Sequence, residues 1–253
     1  MVLIVKMESS ESTPHCSLLV YLNKDADVVP SFLQDLRTFF QKFPMKYELI
    51  ALVEQGADKT FAVLNLQAAH SNSNETLSVH KNESKKGRAL SLYQGMELAR
   101  APFVMILDSE LASPFGDVFK LWQHLVAEDK VDVCWGDRYR KKENPFLRGE
   151  SPRAKTEILF NNILRERYNN SLQDPLCEVI AIKKSAWEKI RTELPLQKLR
   201  GWYLTPALHQ SARLQTLSII EIPVYDSGRS SKSYNVWKER LNLFRDSIFT
   251  NRQ

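Results

Sequence analysis

Short apolar runs and amphipathic stretches alternate through the first half of this chain, and that alternation restricts its fold more than any other feature. Residues 17–22, 47–53 and 103–107 are almost continuously apolar, as strands covered on both faces of a parallel sheet must be. Between the first two runs, Val29, Phe32, Leu33, Leu36, Phe39, Phe40 and Phe43 recur at helical spacing, and Pro44 stops the helix. Further helices are expected over 59–69 and 88–100, a polar turn over 71–75, and a short strand over 77–80. Pro114 suits the first turn of another helix, and 131–135 reads as a fifth strand. The sum is an α/β fold with a mostly parallel central sheet and flanking helices.

Beyond Gly136 the pattern changes. Residues 138–153 are loop-like and strongly basic, followed by a helix over 155–168, a strand over 178–182, a helix over 185–193 and a last strand over 218–224. Residues 236–249 form an amphipathic helix, with Val236, Trp237, Leu241, Leu243, Phe244, Ile248 and Phe249 set among Lys238, Arg240, Arg245 and Arg252. That face suits packing on its own domain or lying in a membrane interface.

The chain's 253 residues suffice for one large core, and 43% hydrophobic with 26% charged residues is ordinary globular composition. The net charge of +5 is spread along the chain, as on a solvated surface or one that meets anionic substrates or anionic lipid. Basic residues occur without a recognisable nucleic-acid module, so no nucleic-acid partner is expected. Cys16, Cys134 and Cys177 lack metal-ligand spacing and fit unpaired thiols in a reducing compartment. None of the five histidines has metal spacing, and no segment approaches the ~18 apolar residues of a spanning helix. A cytoplasmic protein is expected, soluble or peripheral at the inner face of the membrane.

Several segments carry a resemblance. They are Lys86-Gly87-Arg88-Ala89 with Gly95 and Ala99; Asp108-Ser109-Glu110 after an apolar strand, with Pro114; Gly136-Asp137-Arg138-Tyr139; Asp174-Pro175-Leu176-Cys177; and Glu221-Ile222-Pro223-Val224 with Arg229, Lys232 and Ser233. In this order they resemble family-2 glycosyltransferases of the GT-A fold, and more closely the polyprenyl-phosphate sugar synthases such as dolichol-phosphate mannose synthase. The resemblance spans roughly 17–238. It implies an extension over 1–16, a nucleotide-binding half over 17–136, an acceptor half over 137–233 and a C-terminal helix over 234–253.

It also implies roles. Asp108 and Glu110 would hold Mg²⁺ or Mn²⁺, because hard cations take carboxylate oxygens and offset the charge growing on a diphosphate leaving group. Asp25 and Glu54 would bind the donor's nucleoside, Asn23 and Lys86 would also meet the donor, and Arg229 and Lys232 would hold its diphosphate. Arg138 and Arg153 would meet the acceptor's phosphate. Four places depart from the family: Asn23-Lys24-Asp25 stands where Tyr-Asn-Glu is usual, Val53-Glu54-Gln55-Gly56 where two adjacent acids are usual, Glu110 for the second Asp of the metal motif, and Ala112 for a glutamine.

Transfer to a hydroxyl calls for a general base, yet 200–206 contains no acid. A lipid phosphate needs no base. The same absence fits a degenerate relative that keeps the fold as a ligand-binding or scaffolding module. The expected activity is therefore inverting sugar transfer from a nucleotide-sugar donor to polyprenyl phosphate, with the non-catalytic module as the alternative.

Overall fold

The structure, a computed structural model, describes residues 13–43, 45–56, 59–109, 114–140, 152–167, 171–201 and 203–226. Among these residues seven strands form one sheet in the order β3-β2-β1-β4-β6-β5-β7. They are β1 (Cys16–Leu22), β2 (Tyr47–Val53), β3 (Glu75–Lys81), β4 (Phe103–Leu107), β5 (Val133–Asp137), β6 (Ile180–Lys183) and β7 (Ile219–Pro223). The strands β3, β2, β1 and β4 pair in parallel, whereas β6 is inserted antiparallel between β4 and β5. The sheet is thus mostly parallel, as expected from the apolar runs.

Among the described residues there are seven α-helices: α1 (Val29–Gln41), α2 (Thr60–Ala68), α3 (Gly87–Leu98), α4 (Phe115–Ala127), α5 (Pro152–Arg167), α6 (Lys184–Glu193) and α7 (Leu204–Leu214). The α1–α4 seam is aromatic: Phe39 meets Phe115 and Phe119, with ring centroids 5.9 and 5.5 Å apart. Helix α3 lies on the sheet through Gly95, where an added Cβ would stand 2.7 Å from Leu52 Cδ1 and 3.3 Å from both δ-methyls of Leu19. A side chain there would lift the helix off β1 and β2.

Three elements differ from expectation. Strand β3 begins at Glu75, which the sequence placed in a turn, because Arg37 of α1 neutralises that buried carboxylate, Nε to Oε2 at 2.7 Å. Strand β5 runs to Asp137, two residues past its expected end, and Asp137 is buried. Helix α7 has no counterpart in the expected set. Its buried face mixes Leu204, Ala207, Leu208 and Ala212 with Thr205, Pro206, His209 and Ser211, so no plain apolar stripe marks it. The helix expected over 236–249 lies outside the described residues. Among those described, no helix is long and apolar enough to cross a membrane.

Candidate active site

After β1 the chain steps outward through β2 to β3, then returns to place β4 on the other side of β1. Such a reversal opens a crevice at the strands' carboxyl ends, where open α/β sheets take ligands. Asn23 and Asp25 follow β1, Glu54 follows β2 and Asp108 follows β4, so four of the expected site residues share this edge. Leu19 pairs with Ile106, and Tyr21 with Leu52. By strict alternation Tyr21, Glu54 and Asp108 continue the sheet face on which Leu19 and Leu52 meet α3.

Glu54 is committed inward. Its Oε2 accepts from the Gly87 N–H at 2.6 Å and the Tyr21 hydroxyl at 3.0 Å. Its Oε1 accepts from the N–H groups of Gln55 and Lys86 and from Asn82 Nδ2, at 2.8, 3.3 and 3.3 Å. Helix starts leave orphan N–H groups, and Glu54 supplies their acceptor across space. Burial pushes its pKa up, but the N–H groups of Gln55 and Gly87, with Asn82 and Tyr21, outweigh burial and hold it below the usual carboxylate range. Both oxygens of Glu54, the residue expected at the nucleobase, accept from donors at the start of α3 and beside it.

Asp25 is 2% exposed. Its Oδ2 accepts from the Asn23 N–H at 2.6 Å, and its own N–H donates to the Thr60 hydroxyl at 2.9 Å. Its carbonyl takes the N–H groups of Val28 and Val29 and so starts α1. Lys24 between them holds φ of 62°, a left-handed conformation costly for a side-chain-bearing residue. This turn is built around Asp25. Lys86 Nζ donates to Gln94 Oε1 at 3.1 Å along α3.

Asp108 is half-buried at the end of β4. A hard divalent cation needs few protein carboxylates when substrate phosphates complete its shell, and Asp108 supplies one in a suitable place. Its expected companion Glu110 lies outside the described residues, as do Arg229, Lys232 and the side chain of Arg153. Among the described residues no group of three or more His, Cys, Asp or Glu could hold a metal ion.

Arg138, expected at an acceptor phosphate, is buried in a cage of acids. Its Nε meets Asp174 Oδ2, and Nη1 meets Glu157 Oε2 at 2.7 Å and Asp226 Oδ2 at 3.2 Å. Burial lowers its pKa, but Asp174 and Glu157 more than offset that and raise it well above the ordinary range. Arg140 binds Asp137 Oδ2 at 3.0 Å and Glu221 Oε2 at 3.5 Å beside the cage. Burial, then Asp174, raises the Asp137 pKa; burial, then Asp137, raises that of Glu221. Gly136 belongs to the same construction: a Cβ there would stand 2.7 Å from Cys177 Sγ and 3.0 Å from the Val179 carbonyl oxygen. All three cysteines are free and buried, and burial raises their thiols.

One residue at this edge went unread in the sequence. Glu178 precedes β6 and accepts from Arg88 Nη2 of α3 at 2.6 Å. It fell inside an expected strand, and only the antiparallel placement of β6 brings it to the β4 end. Beside it, the Gly201 carbonyl accepts from the Ala89 N–H at 3.1 Å, tying the 199–201 loop to α3.

This arrangement agrees with what the chain is similar to. The chain belongs to glycosyl transferase family 2, whose family model matches residues 18–191. Among solved structures, mannosyl-3-phosphoglycerate synthase from Rubrobacter xylanophilus superposes with a TM-score of 0.65 at 12% identity, covering 93% of this chain and 73% of that one. Glucosyl-3-phosphoglycerate synthase from Mycobacterium tuberculosis, in complex with Mn²⁺, uridine diphosphate and phosphoglyceric acid, gives 0.63 at 14% identity, covering 93% and 78%. The GT-A architecture is therefore shared. No curated protein matches the chain significantly.

Proposed function

We propose that this protein transfers a sugar from a nucleotide-diphosphate donor to an acceptor bearing a phosphate group, in a single inverting displacement. The observation that carries this reading is Asp108 at the carboxyl end of β4, at the sheet's switch point. Asp108 and Glu110 would hold Mg²⁺ or Mn²⁺, which when bound offsets charge on the departing diphosphate. Arg229 and Lys232 would clasp that diphosphate. Since Glu54 caps α3, it contributes to donor binding by fixing the Lys86-Gly87 turn and not by reading the base.

The acceptor's phosphate could belong to a polyprenyl lipid or to a small phosphorylated alcohol. The similar solved structures are of synthases whose names carry 3-phosphoglycerate, which supports the second source. A lipid acceptor would place the protein at the inner face of the membrane, through basic residues such as Lys141, Lys142 and Arg148. The inward commitment of Asp25 and Glu54 favours a second reading, a GT-A module that binds a ligand without transfer.

Thermal shifts with UDP, GDP, CDP and their sugars, with and without Mn²⁺, decide between them. A ligand specific for the folded state raises apparent stability by mass action. A Mn²⁺-dependent shift for one nucleotide, lost in Asp108→Asn, is the expected result. Silence across a saturating panel would sink the transferase reading. Glycerol 3-phosphate and farnesyl phosphate as acceptors separate the two phosphate sources.

A further inference from the structure

We infer that Glu178 is the acceptor-side general base, and hence that the attacking group is a hydroxyl and not a phosphate oxygen. This rests on the transferase reading above. It removes the chief objection to a hydroxyl acceptor, the lack of any acid in 200–206.

Position comes from register. Strands β4 and β6 run antiparallel with Phe103 opposite Lys183, Val104 opposite Ile182, Met105 opposite Ala181 and Ile106 opposite Ile180. The pairing itself ends at Ile106 and Ile180; extending the same offset two residues past it sets Asp108 opposite Glu178. Directly opposed residues of an antiparallel pair project from the same face. That face is the one on which α3 packs, because the Glu178 carboxylate reaches Arg88 in the first turn of α3. Glu178 therefore flanks Asp108 on the β6 side of the crevice, while the donor-side residues Asn23 and Asp25 flank it on the β1 side. A base belongs on the side away from the donor, since an in-line displacement needs its nucleophile opposite the leaving group.

Burial and anchoring suit the role. The Glu178 side chain is 17% exposed, largely shielded from water. Arg88 holds one oxygen, Oε2, at 2.6 Å, which fixes the orientation of the carboxylate. The Ala89–Gly201 hydrogen bond ties the 199–201 loop to the same first turn of α3 that carries Arg88. In the step assigned here, the acceptor hydroxyl oxygen forms its bond to the sugar's anomeric carbon as the bond from that carbon to the β-phosphate oxygen breaks. The hydroxyl proton passes to Glu178, and the electron pair of the broken bond leaves with the nucleoside diphosphate.

The test follows nucleoside diphosphate release from UDP-glucose and GDP-mannose with Mn²⁺, using glycerol 3-phosphate, farnesyl phosphate or water alone as acceptor. Calorimetry of UDP and GDP runs in parallel. Glu178→Gln, which keeps shape and removes basicity, should leave nucleotide affinity unchanged and lower kcat with glycerol 3-phosphate or water roughly 10²–10⁴-fold. Glu178→Asp retains a partner for Arg88 and should fall between, with the loss in kcat and not in the donor's KM. Sodium formate should restore part of the rate to Glu178→Ala, which a purely structural role for Glu178 does not predict. Wild-type rates in Glu178→Gln overturn the assignment, as does turnover of farnesyl phosphate alone that is indifferent to the substitution. Absence of nucleotide binding by the wild type removes the transferase reading itself, a distinguishable failure.

Discussion

Arg138 lays its guanidinium twofold against Asp174, Nε to Oδ2 at 2.6 Å and Nη2 to Oδ1 at 2.9 Å, with both side chains shut off from water. Glu157 and Asp226 hold Nη1, so the pair anchors α5, the turn before β6 and the chain beyond β7 to one point. A basic residue in a basic stretch looks like a ligand contact in sequence; its neighbours in space make it a keystone.

Removing that keystone strands three buried carboxylates. Arg138→Met should lower the urea-unfolding free energy by about 3–5 kcal/mol, the usual penalty for breaking a buried ion pair from one side. Nucleotide affinity of the folded fraction should change little. A variant as stable as wild type would show that the cage contributes nothing.

Glu54→Gln should destabilise by about 1.5–3 kcal/mol at pH 7, because an amide cannot accept from all the N–H groups the carboxylate serves. The folded pKa lies below the ordinary 4.5, so this stability is present above about pH 4.5 and lost as pH falls through the folded value. Denaturation of both proteins at pH 7 and pH 3 should therefore show the gap narrowing at pH 3. A gap of constant size would dissociate it from the carboxylate's charge.

His209 on α7 is 1% exposed and its Nε2 lacks a hydrogen-bond partner among the described residues. Its ring stands edge-on to Trp135, centroids 6.1 Å apart. Burial, and then Arg213, lower its pKa from 6.5 to about 4. On acidification the unfolded chain takes the proton first, so this stability is complete above about pH 6.5 and drains away towards pH 4. His209→Leu should flatten the stability profile across that window, where the wild type loses up to about 3 kcal/mol. Matching slopes would assign the acid sensitivity elsewhere.

Gly136→Ala should cost about 1–3 kcal/mol by overpacking, since its Cβ meets a backbone oxygen as well as Cys177 and Val224. Pairing the substitution with Cys177→Ala should recover part of the loss. No recovery in the double variant would locate the strain at the Val179 carbonyl alone.

The sheet was legible because strands as deeply buried as β2 and β4 advertise themselves as apolar runs, and the expected bounds of these two match the structure. Elements stabilised from afar were not. Glu75 joins β3 only because Arg37 comes to it, and α7 hides a buried face behind threonine, proline and histidine. The site divides in the same way. Asp108 follows from its place after a strand. Residue type alone does not reveal that Glu54 has its donors already in hand, that Arg138 faces acids, or that β6 delivers Glu178.

The inserted strand β6 also governs how this protein can be made and cut. Its two neighbours, β4 and β5, are both synthesised well before it. Until residue 183 emerges from the ribosome, the facing edges of those strands wait without a partner, and raw sheet edges invite pairing with other chains. The two stretches on either side of Gly136 thus share one sheet through β6. A fragment ending there keeps the Asp108 edge but exposes the flank that β6 should cover, so any shortened version must run past β7.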